Sequence, residues 1–170
     1  NQRVRMNRND RYLKIVDQYS EPLYWHIRRL VISHEDAQDI LQDTLVSIFR
    51  NLWQLRDEGR TKAWVYRIAT NKVNRYFLRE KRRIGTVEIG SALAQTLESS
   101  EYVNYNETAG LKLQKAVMTL SPQQQTVFNL RYYDELDYNE ISRITGSSVG
   151  SLKVAYHNAR EKIRKYLENE

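Results

Sequence analysis

The sequence LDYNEISRITGSSVGSLKVAYHNAREKIRKYL, residues 136–167, decides how the C-terminal part of this chain folds. Ile141 and Ile144 fall on one face of a short predicted helix, and Gly146 supplies a turn after it. The next segment is predicted to be a longer helix, because its apolar residues recur every three or four positions. That apolar stripe consists of Leu152, Tyr156, Ala159, Ile163 and Leu167. Two helices joined in this way form a helix-turn-helix, whose second helix is built to enter the major groove of DNA.

Length and composition restrict the class of protein. The chain has 170 residues and a net charge of +6, which suits one large or two small domains and a polyanionic partner. An ordinary solvated basic surface would give the same totals. The absence of cysteine excludes disulfides and thiolate metal sites. No apolar run approaches the roughly 20 residues of a membrane span, and no signal peptide opens the chain. We therefore expect a cytoplasmic protein without stable membrane insertion.

Charge divides the chain into three parts. Residues 71–83 contain six basic residues and one acidic residue. Residues 84–107 contain four glutamates and no other charged residue, and Gly85 and Gly90 interrupt any helical pattern there. This change in composition predicts an N-terminal domain over residues 1–83, a flexible linker over 84–107 and a C-terminal domain over 108–170.

Both domains are predicted to be all-α. With two prolines and six glycines in the chain, no alternation of strands and turns is found. Helix starts are predicted at Ser20–Pro22, at Ser33–His34 and at Ser121–Pro122, where a capping side chain, an acidic residue or proline suits the first turn. A further helix is predicted over about 62–82. The N-terminal domain is therefore expected to be a bundle of about four helices.

An acidic face lies opposite the apolar stripe of the helix that follows Ser33. It consists of Asp36, Asp39, Gln42 and Asp43. A solvated face is the ordinary interpretation of such a run. In a basic chain, however, three aspartates together make the local charge negative. A negative surface repels DNA and attracts a basic protein surface.

The following helix combines aromatic, cationic and amide side chains before a basic end. They are Trp64, Tyr66, Arg67, Asn71, Arg75 and Tyr76. Aromatic rings among phosphate-binding cations suit single-stranded nucleic acid. The alternative is that Tyr76 and one of Trp64 or Tyr66 pack in the core, and that residues 79–83 are a solvated helix end that interacts with the helix dipole.

Three blocks of sequence together resemble a known family. They are DAQDILQDTLVSIFRNLWQL at 36–55, KAWVYRIATNKVNRYFLREKRR at 62–83, and LSPQQQTVFNLRYYDELDYNEISRITGSSVGSLKVAYHNAREKIRKYL at 120–167. In order and spacing they resemble a bacterial alternative sigma factor of the extracytoplasmic-function type, which consists of regions 2 and 4 only. The resemblance implies a transcription initiation factor that is not itself an enzyme and that binds core RNA polymerase and promoter DNA.

The resemblance also implies a role for each block. The acidic face, Asp36, Asp39, Gln42 and Asp43, would contact the clamp helices of the largest polymerase subunit. The loop 55–61 would capture flipped bases of the minus-10 strand. The residues implied in minus-10 binding are Trp64, Arg67, Asn71, Arg75, Arg79, Lys81, Arg82 and Arg83. Those implied at the minus-35 element are Ser151, Lys153, Val154, His157, Asn158 and Arg160. An anti-sigma factor is an implied partner, and the chain is expected to be monomeric when free or held by it.

The predicted recognition helix departs from the family's usual pattern. Relatives often carry serine and arginines there, whereas this chain has Val154, Ala155 and Asn158. Fewer cations weaken the attraction to phosphates. Val154 suits a thymine methyl group and Asn158 suits the N6 and N7 edge of adenine. We therefore predict a minus-35 element that contains A/T pairs.

Two other classes of protein share some of these sequence features. A repressor or activator that binds DNA alone would explain the helix-turn-helix, but not the acidic face or the aromatic, basic helix. A DNA-modifying enzyme is disfavoured because His26, His34 and His157 are scattered and no HExxH or glycine-rich phosphate loop is present. The sequence predicts no catalytic residue, no metal site and no cofactor.

Overall fold

The computed structural model describes residues 6–84 and 108–169, and all the regular structure in these ranges is helical. The α-helices are α1 (Arg8–Leu30), α2 (His34–Asn51), α3 (Thr61–Ile84), α4 (Thr108–Met118), α5 (Pro122–Phe128), α6 (Tyr138–Thr145) and α7 (Val149–Glu168). Short 3₁₀ turns at Leu52–Gln54 and Glu58–Arg60 connect α2 to α3, and a π-helical turn, Asn129–Tyr133, follows α5. The all-α prediction is confirmed. None of the described helices combines the length and apolar character needed to cross a bilayer.

The N-terminal helices α1, α2 and α3 pack against one another around a shared apolar core. The side chain of Asn7 caps α1, and that of Ser33 caps α2 as predicted. The expected helix start at Ser20–Pro22 is wrong, because Pro22 lies inside α1. Leu23 and Ile27 are fully buried after the proline, so packing on its C-terminal side offsets the lost hydrogen bond. The described part of this domain therefore has three α-helices and two 3₁₀ turns instead of about four helices.

Capping residues mark the start of α5 and both ends of α6, and the start at Ser121 and the end at Gly146 were predicted. Ser121 and Gln124 form a capping box at the start of α5, with Pro122 in the first turn. Asp137 forms a second capping box at the start of α6, and Gly146 ends that helix with φ at +76°. This left-handed conformation suits glycine, and it turns the chain into α7.

The buried stripe of α7 differs from the predicted one at two positions. Leu167 is 40% exposed, whereas Ala155 is buried. Leu167 lies in the last turn, close to the end of the helix at Glu168, where fewer neighbours cover it. Leu152, Ala159 and Ile163 are buried as predicted.

The predicted boundary between the N-terminal domain and the linker falls inside α3, since that helix includes Ile84. Residues 85–107, which make up the rest of the predicted linker, lie outside the described residues. The two domains are in contact across this gap in the description. Helix α3 packs against α6, and α1 packs against the π-helical turn. Ile141 and Ile144 of α6 belong to the same buried cluster as Val65 and Val73 of α3.

Candidate functional site

The acidic face of α2 is only partly free. Asp39 and Gln42 are exposed. Asp36 is half-buried and accepts a hydrogen bond of 2.8 Å from the Tyr76 hydroxyl of α3. The Asp43 carboxylate is exposed but lies 3.1 Å from the ammonium group of Lys72, also on α3. Two of the three aspartates thus tie α2 to α3, and Asp39 is the carboxylate whose surroundings are most open to a partner.

The acidic face continues into an apolar surface that sequence reasoning missed. Val46 is 43% exposed, and Trp53, in the 3₁₀ turn after α2, is 70% exposed. Steps of four and three residues place Asp39, Asp43 and Val46 along one side of α2. Trp53 follows seven residues after Val46, in the 3₁₀ turn at the end of that helix. The sequence carried this signal, because Trp53 falls outside the apolar stripe of α2. An exposed tryptophan beside a charged rim is typical of a protein-binding surface.

An exposed polar ridge runs along α3. Arg67, Asn71, Arg75 and Arg79 follow one another at intervals of four residues, and all four side chains are exposed. A ridge of this length covers about 18 Å, at about 1.5 Å per residue. Arg82 is exposed beyond it. The structure thus brings most of the predicted minus-10 residues onto one surface suited to a phosphate backbone.

The ridge as described does not include three of the predicted minus-10 residues. Trp64 is half-buried and packs against the core cluster, so part of its side chain contributes to the stability of the domain. Lys81 and Arg83 belong to α3, but their side chains lie outside the described residues. The structure therefore places Trp64 partly in the core, which is the alternative that the sequence had left open for it.

The loop at residues 55–61 is held in one shape by hydrogen bonds. The Arg11 guanidinium donates to the Leu55 carbonyl at 2.9 Å and to the Glu58 carboxylate at 3.2 Å. The Thr61 hydroxyl donates to the Glu58 carbonyl at 2.8 Å. The Asp57 carboxylate accepts from the Gly59 amide at 2.9 Å. A loop fixed by its own bonds loses little entropy when a ligand binds.

The helix-turn-helix presents one open face. The Ser148 side chain accepts from the Ser151 amide at 3.2 Å and so caps α7. The Ser142 hydroxyl donates to the Ser147 carbonyl at 2.7 Å, which fixes the turn. The exposed residues of α7 include all those predicted to contact the minus-35 element: Ser151, Lys153, Val154, His157, Asn158 and Arg160. Ala155 is buried and so takes no part in this face.

Two of the cations on α7 lie beside aromatic rings. The Lys153 ammonium is 5.8 Å from the centre of the Tyr138 ring. The Arg160 guanidinium is 5.8 Å from the centre of the Tyr156 ring. Such contacts orient long side chains that would otherwise be mobile.

Family models match both domains of the chain. The model described as Sigma-70 region 2 matches residues 15–83, and the model described as Sigma-70, region 4 matches residues 110–163. Among curated proteins, the ECF RNA polymerase sigma factor SigW of Bacillus subtilis is 27% identical over 175 residues, which cover 98% of this chain and 94% of that protein.

Solved structures share the fold. The sigma factor RpoE of Bartonella quintana, solved in complex with the anti-sigma factor NepR, matches with a TM-score of 0.74 at 19% identity, covering 93% of this chain and 97% of that one. CnrH in complex with the cytosolic domain of CnrY matches with a TM-score of 0.69 at 21% identity, covering 96% and 91% of the two chains.

Proposed function

The chain belongs to the sigma-70 family, as a sigma factor of the extracytoplasmic-function type, and we propose that it directs core RNA polymerase to a specific set of promoters. In this proposal α2 docks the polymerase, α3 holds the melted minus-10 strand and α7 reads the minus-35 duplex. The observation that carries it is the pair of family matches, to region 2 at residues 15–83 and to region 4 at residues 110–163, in that order along one chain.

The surface of α2 supports docking to a protein that is basic with an apolar centre. Asp39 and Gln42 would form the polar part of the interface, and Val46 and Trp53 the apolar part. Buried tryptophan contributes strongly to the binding free energy of interfaces, whereas rim charges mainly set orientation and association rate. We therefore assign the larger share of the docking free energy to Trp53.

The ridge of α3 supports binding of a single strand. Arg67, Arg75 and Arg79 are spaced to follow a phosphate backbone, and Asn71 between them has an amide that can bond to a base edge. The fixed loop at residues 55–61 would form the wall of a pocket for a base removed from the stack, because such a pocket must replace lost stacking and pairing. The whole ridge lies on one rigid helix, which favours accurate placement.

The exposed face of α7 supports recognition of duplex DNA. In this proposal Asn158 would bond to the edge of an adenine, and Val154 would contact a thymine methyl group. The minus-35 element is accordingly proposed to contain A/T pairs. Lys153 and Arg160 supply charge for the flanking phosphates.

An anti-sigma factor is the proposed regulator. Two structurally similar chains were solved with a protein partner: RpoE with the anti-sigma factor NepR, and CnrH with the cytosolic domain of CnrY. Their fold is shared with this chain at low sequence identity, so the identity of the regulator is a question for affinity capture from the source organism.

Docking is tested by measuring the affinity of the chain for core RNA polymerase purified from the source organism. Asp39→Lys, which reverses a charge on the docking face, and Trp53→Ala should each weaken binding about tenfold or more. Asp17→Lys is the matched control, because Asp17 is exposed on α1, outside this surface. Wild-type affinity in both docking variants would contradict the assignment of α2.

A further inference from the structure

The connection between α2 and α3 is held from outside by a side chain of α1. Arg11 Nη2 donates to the Leu55 carbonyl at 2.9 Å, and Arg11 Nε donates to the Glu58 carboxylate at 3.2 Å. The two acceptors lie 44 and 47 positions away in the sequence, so both bonds are tertiary contacts. A planar guanidinium presents its N–H groups in a fixed fork. This one therefore restricts how residues 55 and 58 lie relative to each other.

Both of these residues are anchored a second time. The Leu55 side chain is buried in the core cluster. The Glu58 carbonyl accepts from the Thr61 hydroxyl at the start of α3. The rest of the loop, residues 56, 57, 59 and 60, is exposed. The exposed part of the loop therefore takes its shape from the anchors at residues 55 and 58.

The ion pair between Arg11 and Glu58 contributes little to the stability of the domain. The Arg11 side chain is 26% exposed and that of Glu58 is 68% exposed. Ion pairs in such solvated surroundings contribute little to the free energy of unfolding, because water screens the charges and two long side chains lose freedom. A substitution at Arg11 is therefore expected to change the order of the loop more than the fold of the bundle.

A second arginine of α1 provides an internal comparison. Arg8 Nη2 donates to the Phe49 carbonyl at 2.7 Å, and the Arg8 guanidinium lies 4.5 Å from the centre of the Phe49 ring. Phe49 belongs to α2 and precedes the loop. Arg8 therefore holds the end of a helix, whereas Arg11, one turn later on α1, holds the loop.

We propose that Arg11 is a positioning residue for base selection at the minus-10 element, and that it fixes the loop at residues 55–61 in the shape that accepts one base and excludes others. This inference rests on the proposed function, in which that loop forms the wall of a pocket for a base removed from the stack. It adds to that function a specificity-determining side chain on α1. A pocket discriminates between bases only when its walls are held, because a loose wall adjusts to bases of different shape and hydrogen-bonding pattern.

The order of the loop in the free chain tests the first step. In NMR relaxation of the backbone amides, Gly59 of the parent chain should have the order parameter of rigid backbone, about 0.85. Arg11→Gln removes the fork that holds the loop and should lower this order parameter below about 0.6, the range of flexible segments. Arg8→Gln is the matched control and should leave it unchanged. Circular dichroism establishes that each variant is folded. A parent loop that is already flexible, or a loop that stays rigid in Arg11→Gln, would overturn the proposal.

Base selection is measured in open complexes that the full chain forms with core RNA polymerase on a promoter library randomised over the minus-10 element. At the position whose base leaves the stack, Arg11→Gln should reduce the preference of the parent about fivefold or more, because the wall of the pocket is no longer fixed. The preference at the minus-35 element should stay the same. Arg11→Lys keeps the charge but lacks the fork, so it should also reduce the preference, by a smaller factor. Arg8→Gln should select like the parent.

The preference between bases separates positioning from a structural role. Partial unfolding lowers the recovery of every sequence alike and leaves the ratio between bases unchanged. A direct contact of Arg11 with a phosphate would likewise make its loss weaken all sequences uniformly. A uniform loss with unchanged base preference in Arg11→Gln would therefore contradict the proposal. Failure of the parent chain itself to form open complexes would contradict the proposed function, and this inference with it, so the two failures are distinguishable.

Discussion

Asn158 lies exposed on the outer face of α7, with Val154 one turn before it. Its amide can bond to both N6 and N7 of one adenine, and alanine at this position can do neither. Asn158→Ala should therefore cost about 1–3 kcal/mol in binding free energy and relax the preference at one base pair of the minus-35 element. Selection from a randomised minus-35 library measures this. Unchanged selectivity at every position would contradict the role given to Asn158.

For single residues, the sequence predicted which side chains are exposed better than it predicted their hydrogen-bonding and packing partners. Arg67, Asn71 and Arg75 were proposed from their chemical types to face a nucleic acid, and all three are exposed. The hydrogen bond between His26 and Asp134 was not predictable. They are 108 positions apart in the sequence, and no local periodicity relates such distant residues. The partial burial of Trp64 depends in the same way on tertiary packing, which composition does not specify.

The turn between α6 and α7 depends on a glycine in the left-handed conformation. Gly146 has φ at +76°, and a Cβ placed there would meet no atom within 4 Å. The free-energy cost of a side chain at position 146 therefore comes from the backbone conformation and not from collision with neighbouring atoms. Gly146→Ala should lower the free energy of unfolding by about 1–2 kcal/mol. Urea unfolding followed by circular dichroism measures this.

Gly150 provides the matched control for that change. It lies in the first turn of α7 and also has open space at Cβ, but its φ is not positive. Gly150→Ala should therefore raise the free energy of unfolding by up to about 1 kcal/mol, through helix propensity. Equal effects of the two substitutions would show that the left-handed conformation of Gly146 is not what limits this turn.

Helix boundaries were predictable where capping chemistry is local. Ser33, Ser121 and Gly146 each mark an end that the structure confirms. The helix start predicted at Pro22 was wrong, although proline is favoured in the first turn of a helix. Pro22 lies inside α1, where the packing of the helix on both sides of it outweighs one lost hydrogen bond. The apolar continuation of the docking face through Trp53 was missed, because it joins the end of α2 to the turn that follows.

For the whole molecule, sequence patterns predicted the two domains but not their contact. The change in charge and composition along the sequence predicted an N-terminal domain and a separate helix-turn-helix domain. The surface proposed to dock polymerase lies in the first domain, and the proposed DNA-binding surfaces lie in both. The domain interface depends on shape and polar complementarity between distant elements, above all Asp134 with Arg29 and His26.

Run-off transcription with purified core RNA polymerase from the source organism, on a library of its promoters, tests the central claim most directly. We predict that adding the chain gives transcripts from a defined subset of promoters that share an A/T-containing minus-35 element, whereas core enzyme alone gives none of them. Failure of the chain to confer sequence-dependent initiation, in an assay where a known sigma factor activates the same core preparation, would contradict the account.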